Sequence, residues 1–257
     1  MPKKIKNIGV LTSGGDAPGM NACIRAVVRT ALNHNLRVFG IERGYNGLIN
    51  DEIKELDRYS VSGIINLGGT ILKTARSSEF MTGAGRKKAY ENLKKRCIEG
   101  LVVIGGDGSF RGLHKLITEF GVMGVGTPGT IDNDLYGTDY TIGFDTAVNT
   151  ALNAIDTIRD TATAHERLFL VEVMGRHSGY IALYSGIAGG CEDILLPEVK
   201  TDFKDVVRIL DEGKKKGKIS TIIVVAEGEQ EGGAFKLAEM LKKNTSYEPK
   251  VSVLGHQ

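Results

Sequence analysis

The chain has 257 residues, of which 41% are hydrophobic and 25% charged, enough apolar material for one large core or two modest ones. Its 33 Lys+Arg nearly cancel its 31 Asp+Glu, so no global field directs it to nucleic acid or a membrane surface, and any anion must be held locally. Cys23, Cys97 and Cys191 lie far apart without a CxxC, the five histidines are scattered, and no apolar run reaches a secretory or membrane-spanning length, which together predict a soluble cytoplasmic protein with reduced thiols and no zinc.

In chain order, "KNIGVL" reads as a buried strand, "TSGGDAPG" as a loop, and Met20 to Asn33 as a helix. "RVFGIE", "GLVVIGG", "VMGVG", "RLFLVEVMG", "DILLP" and "TIIVVAEG" read as further strands rich in Val and Ile. Between them lie helical segments, "GRKKAYENLKKRC", "SFRGLHKLITEF", "FDTAVNTALNAIDTIRDT", "DFKDVVRILDEGKKKG" and "AFKLAEMLKKN". Strand and helix alternating at this rhythm predict an α/β fold with parallel sheets covered on both faces. A domain break is expected within residues 137–143, where a polar turn precedes a long helix.

Ligands of open α/β sheets bind at the carboxyl ends of the strands. Four glycine-rich loops fall there: "TSGGDAPGMN", "GGDGS", "PGTIDND" and "MGRHSG". In the first, bare backbone and a helix N-terminus suit an anion; a plain strand-to-helix turn capped by Asp16 is the competing reading. In "GGDGS", a nucleotide can lie on the glycines while Asp107 reaches a Mg²⁺ ion; otherwise Asp107 shapes a turn and Ser109 caps a helix. "GVGTPG" satisfies the G-x-G-x-x-G dinucleotide fingerprint, but Pro128 and a polar stretch follow where a helix is needed, so NAD binding is not expected. Arg76, in "KTARSSEF", supplies a guanidinium suited to a phosphoryl group, or is a surface arginine.

With these loops assembled, the chain resembles the bacterial ATP-dependent 6-phosphofructokinase family through "IGVLTSGGDAPGMNACIRAVVR", "LVVIGGDGS", "PGTIDNDLYGTDYTIGFDTA", "VEVMGRHSGYIAL" and "AGGCEDILLPE", in that order. The resemblance implies two three-layer αβα Rossmann-like domains with mainly parallel sheets and an active site in the cleft between them. Residues 1–140 would form an ATP-binding domain, 141–250 a fructose 6-phosphate-binding domain, and 251–257 the start of a return segment to the first. The implied reaction carries the γ-phosphoryl group of ATP to the 1-hydroxyl of fructose 6-phosphate. Asp132 would be the general base, Arg76 and Arg176 would stabilise transition-state charge, and Thr130 would lie near the phosphoryl group. Asp134 would support the loop or the metal.

The resemblance further implies an ATP site of Gly14, Arg76, Ser77, Gly106, Asp107, Gly108 and Ser109, with Asp107 on Mg²⁺. The sugar-phosphate site would comprise Thr130, Asp132, Met174, Gly175, Arg176, Glu227, Lys250 and His256, with Arg167 entering from a neighbouring subunit of a homotetramer. Arg25, Arg29, Glu192, Lys216 and Lys218 match an effector site for ADP or phosphoenolpyruvate. Pyrophosphate-using relatives carry Asp at the position of Gly108 and Lys at that of Gly129, so two glycines favour ATP. A pyrophosphate-dependent enzyme, a non-catalytic regulatory homologue and an inactive truncated one are the alternatives. Family chains continue past "VLGH", so the physiological protein is expected to be longer than the sequence ending at Gln257.

Overall fold

The computed structural model describes residues 5–164, 167–230 and 232–256. Residues 1–4 and 257, which bound the expected domains, lie outside the described set. In chain order the elements are β1 (Asn7–Ser13), α1 (Met20–Asn33), β2 (Arg37–Ile41), α2 (Gly44–Ile49) and β3 (Ile53–Leu56), followed by a short 3-10 turn (Glu79–Met81). Next come α3 (Gly83–Lys95), β4 (Gly100–Gly105), α4 (Asp107–Phe120), β5 (Met123–Thr130), β6 (Ile142–Gly143) and α5 (Phe144–Ala164). The chain continues through β7 (Leu168–Val173), α6 (Tyr180–Ala188), β8 (Asp193–Leu195), α7 (Phe203–Lys215), β9 (Thr221–Ala226), α8 (Gly233–Asn244) and β10 (Lys250–Leu254).

These elements form two compact units. One holds Met1–Thr130 and Leu135–Gly143, the other Ile131–Asp134 and Phe144–Gln257. The chain therefore passes between units three times across residues 130–144, whereas a single break was expected within residues 137–143; two crossings precede that stretch and one directly follows it. Four residues leave the first unit because Ile131 packs into the core of the second. The chain returns because β6 pairs with the end of β5, Gly129 opposite Ile142 and Thr130 opposite Gly143.

The first sheet has the order β3-β2-β1-β4-β5-β6. All pairings are parallel except β2 with β3, an antiparallel edge. Leu11, Phe39, Ile41, Leu101 and Val103 point to one face and pack with residues of α2, α3 and α4. There the Tyr45 ring stacks on Phe80 with centroids 4.0 Å apart. On the other face, Met20 and Ile104 both lie beside Gly129, and Met20, Ile24, Val28 and Ala31 form the buried stripe of α1 at helical spacing.

The second sheet, β10-β7-β9-β8, is parallel throughout. "TIIVVA" is apolar at every position but the first because both of its faces are covered. Ile222, Val224 and Ala226 join Phe144, Val148 and Ile155 of α5 and Ile181 of α6, whereas Ile223 and Val225 join Val206 and Leu210 of α7 and Leu237 and Leu241 of α8. Each such aliphatic side chain stabilises the unit by about 1.5–3 kcal/mol on burial. Residues 251–254, expected to begin a return to the first domain, are instead most of β10, paired with β7. Hydrogen bonds to the β7 backbone and burial of Leu254 hold them in the second unit. Among the described residues no helix is long and apolar enough to cross a membrane.

Candidate functional site

In the first unit, β1 is flanked by β2 on one side and β4 on the other, and the crossovers diverge there. This is the switch point at which open α/β sheets hold ligands, at the carboxyl ends of the strands. Ser13 pairs with Gly105 and Gly105 with Pro128, so the loops after β1 and β4 begin side by side and β5 runs two residues further before its own loop. Ser109, buried inside the first turn of α4, donates its hydroxyl to the Ser13 carbonyl at 2.9 Å and ties two of these loops together. A side chain at Gly105 would collide with that same carbonyl, so only glycine allows the approach. Gly14 and Gly108 present open backbone, and Thr130 stands beside Gly106.

Two readings of capping are corrected. The cap of α1 is Gly19 without a side-chain acceptor, so Asp16 is not a cap; it sits near Gly69 instead. Helix α4 begins at Asp107, two residues earlier than its apolar pattern indicated, and its cap is Gly106 rather than Ser109. Asp107 thereby occupies the first turn, where a carboxylate is favoured by the helix dipole, and it pairs with Arg111 at 2.8 Å. Among the described residues no three His, Cys, Asp or Glu cluster as metal ligands. A single exposed carboxylate beside bare glycine backbone suits a hard cation that keeps most of its water and shares phosphate oxygens.

The "GVGTPG" stretch lies wholly within β5, and the next helix starts at Phe144. No helix N-terminus is available where a dinucleotide pyrophosphate would need one, as the sequence indicated. Exposed Arg76 and half-buried Ser77 follow the loop 67–74, which is laced onto β1 and α1. Thr12 donates to the Lys73 carbonyl at 2.8 Å, and the Thr74 hydroxyl donates to the Gly14 carbonyl.

The second unit gathers another group of the expected residues. Ser178, buried at 6% exposure, donates its hydroxyl to the Asp132 carbonyl at 2.6 Å and so fixes the acid beside the loop after β7. One carboxylate oxygen of Glu227, just after β9, accepts the backbone N–H groups of Arg176 at 2.7 Å and Gly175 at 3.2 Å. Arg176 has a left-handed φ of 52°, a conformation these two bonds hold in place. Gly228 must be glycine because a Cβ would collide with the Arg176 carbonyl. Glu198 accepts the Gly179 N–H at 2.7 Å and places a carboxylate at the start of α6. Partial burial pushes the Asp132 carboxyl above its ordinary value, the Asp134 charge adds to this, Arg176 opposes it and Glu227 adds a smaller push. A carboxylate so poised accepts a proton more readily than a solvated one.

Strand direction separates the remaining residues expected at the sugar site. Met174 and Gly175 directly follow β7, and exposed His256 lies just beyond Leu254, which pairs with Val173, so these share the edge that carries Arg176 and Glu227. Arg167 precedes β7 and Lys250 begins β10 opposite Phe169, so both lie at the amino-terminal edge. Strands of this length put about 15–20 Å between the two edges.

The expected effector residues fall in two groups. Arg25 and Arg29 are on α1, where desolvation, then the charges of Arg25 and Arg58, push the Arg29 pKa down. In the second unit Glu192 pairs with Lys218 at 2.9 Å and accepts the Ile222 N–H at 2.7 Å, while Lys216 is the exposed cap of α7. Arg58, Arg111, Ser178 and Glu198 were missed from sequence. Ser178 stood inside the noted "MGRHSG" loop, and only its hydroxyl in a glycine-rich turn could have marked it. The others come into place by tertiary contact or sit in helices with no distinguishing pattern.

Comparison with known proteins adds three findings. The sequence profile of the family described as Phosphofructokinase matches residues 7–257. The chain is 60% identical over 252 residues to a Bacillus pumilus protein named ATP-dependent 6-phosphofructokinase, and 59% identical to a Thermus thermophilus protein named ATP-dependent 6-phosphofructokinase 1; each match covers 98% of this chain and 78% of the relative. Among solved structures it is similar to phosphofructokinase from Saccharomyces cerevisiae, with a TM-score of 0.89 and 38% identity, covering 98% of this chain and 38% of that one. It is also similar to a pyrophosphate-dependent phosphofructokinase from Marinobacter aquaeolei, with a TM-score of 0.83 and 26% identity, covering 97% of this chain and 68% of that one.

Proposed function

The chain belongs to the phosphofructokinase family, and we propose that it transfers the γ-phosphoryl group of ATP to the 1-hydroxyl of fructose 6-phosphate. The observation that carries this reading is Asp132, pinned by Ser178 and set near Arg176 and Glu227 on one edge of the second sheet. Asp132 takes the proton of the sugar 1-hydroxyl as that oxygen attacks the γ-phosphorus. The bond from the γ-phosphorus to the bridging oxygen breaks, and ADP leaves with the electron pair. Arg76 and Arg176 stabilise the charge spread over the phosphoryl oxygens, and the Thr130 hydroxyl stands beside it. Gly14, Ser77, Gly106, Gly108 and Ser109 contribute to the ATP cradle at the switch point.

Asp107 would hold Mg²⁺, which neutralises phosphate charge when bound. Met174, Gly175, Glu227 and His256 would surround the sugar phosphate. Arg167 and Lys250 share the opposite edge, which supports a role at the site of a neighbouring subunit in a homotetramer. Arg25, Arg29, Glu192, Lys216 and Lys218 would serve an anionic effector such as ADP or phosphoenolpyruvate. Such an enzyme would work in the cytoplasm.

Gly108 and Gly129 support ATP over pyrophosphate as donor. A side chain at Gly129 would meet Ile104 at 2.9 Å and Met20 at 3.3 Å, so a lysine stem would have to displace them, while the space before Gly108 is open for an α-phosphate. The test is turnover of fructose 6-phosphate with ATP and, separately, with pyrophosphate. The reading expects fructose 1,6-bisphosphate from ATP at a kcat/KM at least about a hundredfold above that with pyrophosphate, a difference of about 2.7 kcal/mol. Turnover with pyrophosphate alone would refute it.

A further inference from the structure

The loop of residues 67–74 runs toward Arg76 without regular secondary structure. Backbone bonds hold parts of it, the Lys73 N–H to the Thr70 carbonyl at 3.1 Å and the Arg43 N–H to the Leu72 carbonyl at 2.8 Å, and side chains satisfy further backbone groups that no ladder pairs. Asn21, in the first turn of α1 and only 1% exposed, holds the turn at 67–71. Its amide donates to the carbonyls of Leu67 at 3.0 Å and Gly68 at 3.1 Å. Its oxygen accepts the Ile71 N–H at 2.7 Å. One buried side chain thus closes the turn from both ends, leaving Gly69 free to take a left-handed φ of 66°. Beyond the turn, Thr12 holds Thr70 and Lys73, and Thr74 reaches Gly14. Arg76 lies two residues further on, a lever of about 7 Å.

We propose that Asn21 is a positioning residue for Arg76, acting with Thr74. Asn21 does not touch the reacting atoms. It fixes the loop whose end carries the guanidinium and ties that loop to the helix following the Gly14 turn, so the phosphate cradle and the arginine are set by one side chain. No other residue type supplies two donors and one acceptor at this length: aspartate keeps the acceptor and turns two attractive contacts with carbonyls into repulsive ones. The proposal rests on the reading of Arg76 as a residue that stabilises the transferred phosphoryl group.

A double-mutant cycle tests it. Asn21→Asp is expected to lower kcat with ATP and fructose 6-phosphate by about tenfold to a hundredfold, as displacement of a catalytic group by about 1 Å does. In the Arg76→Ala background the same change should lower kcat by less than about twofold, because the group it positions is already gone. Effects that multiply would make Asn21 a general structural residue and overturn the proposal, as would a wild-type kcat in Asn21→Asp. If Arg76→Ala itself kept kcat within about twofold, the reading of Arg76 would fail, a result visible in that single variant. Since a carboxylate buried at this position can unfold the chain, Thr74→Val runs through the same cycle; it removes only the tie to the Gly14 carbonyl, and its loss of kcat must likewise vanish without Arg76.

Discussion

Asp132 sits where its charge is disfavoured. Burial and the nearby Asp134 hold its carboxyl above the ordinary range, with Arg176 pulling the other way. The folded chain keeps that proton to a higher pH than the unfolded chain, so Asp132 by itself removes stability as pH rises from about 4 through its raised value. Above that window Asp132→Asn should raise the melting temperature, even as it removes the proposed base; calorimetry above the window that finds a lower melting temperature would contradict this. Gly108 and Gly129 differ in a testable way at the same scale. Gly129→Lys must displace Ile104 and Met20 and should cost about 1–3 kcal/mol of stability by urea titration. Gly108→Asp meets nothing within 4 Å and should leave stability within about 0.5 kcal/mol, yet weaken ATP turnover by about tenfold or more through repulsion of phosphate. Equal stability losses in the two variants would show that packing does not separate them.

At the scale of elements, the chemistry is set by loops that the strands align. Ser178 joins the 131–134 segment to the loop after β7, and Glu227 joins that loop to the end of β9. Ser178→Ala is expected to cost about 1 kcal/mol of stability and, on the proposed role of Asp132 as base, to lower kcat more than it raises KM for fructose 6-phosphate, because it loosens that residue rather than a substrate contact. A rise in KM with kcat unchanged would place Ser178 in binding instead. The elements themselves were unevenly legible. Runs of aliphatic residues announced β1, β4, β7 and β9, because a strand covered on both faces is apolar over most of its length. Helix α6, "YIALYSGIA", escaped notice because it carries no charge and so shows no polar face. Short α2 and the edge strand β3, "IKEL", offered too few positions for a period to register.

At the scale of the whole molecule, two α/β units each bring their loops to the carboxyl ends of their strands, and this plan was readable from the order of the glycine-rich motifs. What was not readable is that Ile131–Asp134 joins the second unit while Leu135–Gly143 returns to the first. That partition depends on where Ile131 is buried and on the β5–β6 pairing, both contacts between positions no local pattern links. The strand directions also set Arg167 and Lys250 apart from Arg176 and His256, which sequence spacing could not reveal. If those two cations serve a neighbouring subunit, the inactive variants Asp132→Asn and Arg167→Ala/Lys250→Ala should complement each other. Mixed oligomers formed by co-expression should then recover a measurable fraction of wild-type activity; none in co-purified oligomers would return both residues to their own subunit.

The central claim is that Asp132 accepts the proton of the attacking hydroxyl, and the pH profile of phosphoryl transfer from ATP to fructose 6-phosphate tests it most directly. The wild-type rate should rise with pH along an acid limb whose apparent pKa exceeds the ordinary aspartate value of about 3.9. Asp132→Asn should lose about 10²–10⁴ in kcat, keep KM for ATP within about threefold and show no such limb. A variant that kept more than about a tenth of wild-type turnover and titrated along the same limb would contradict the account.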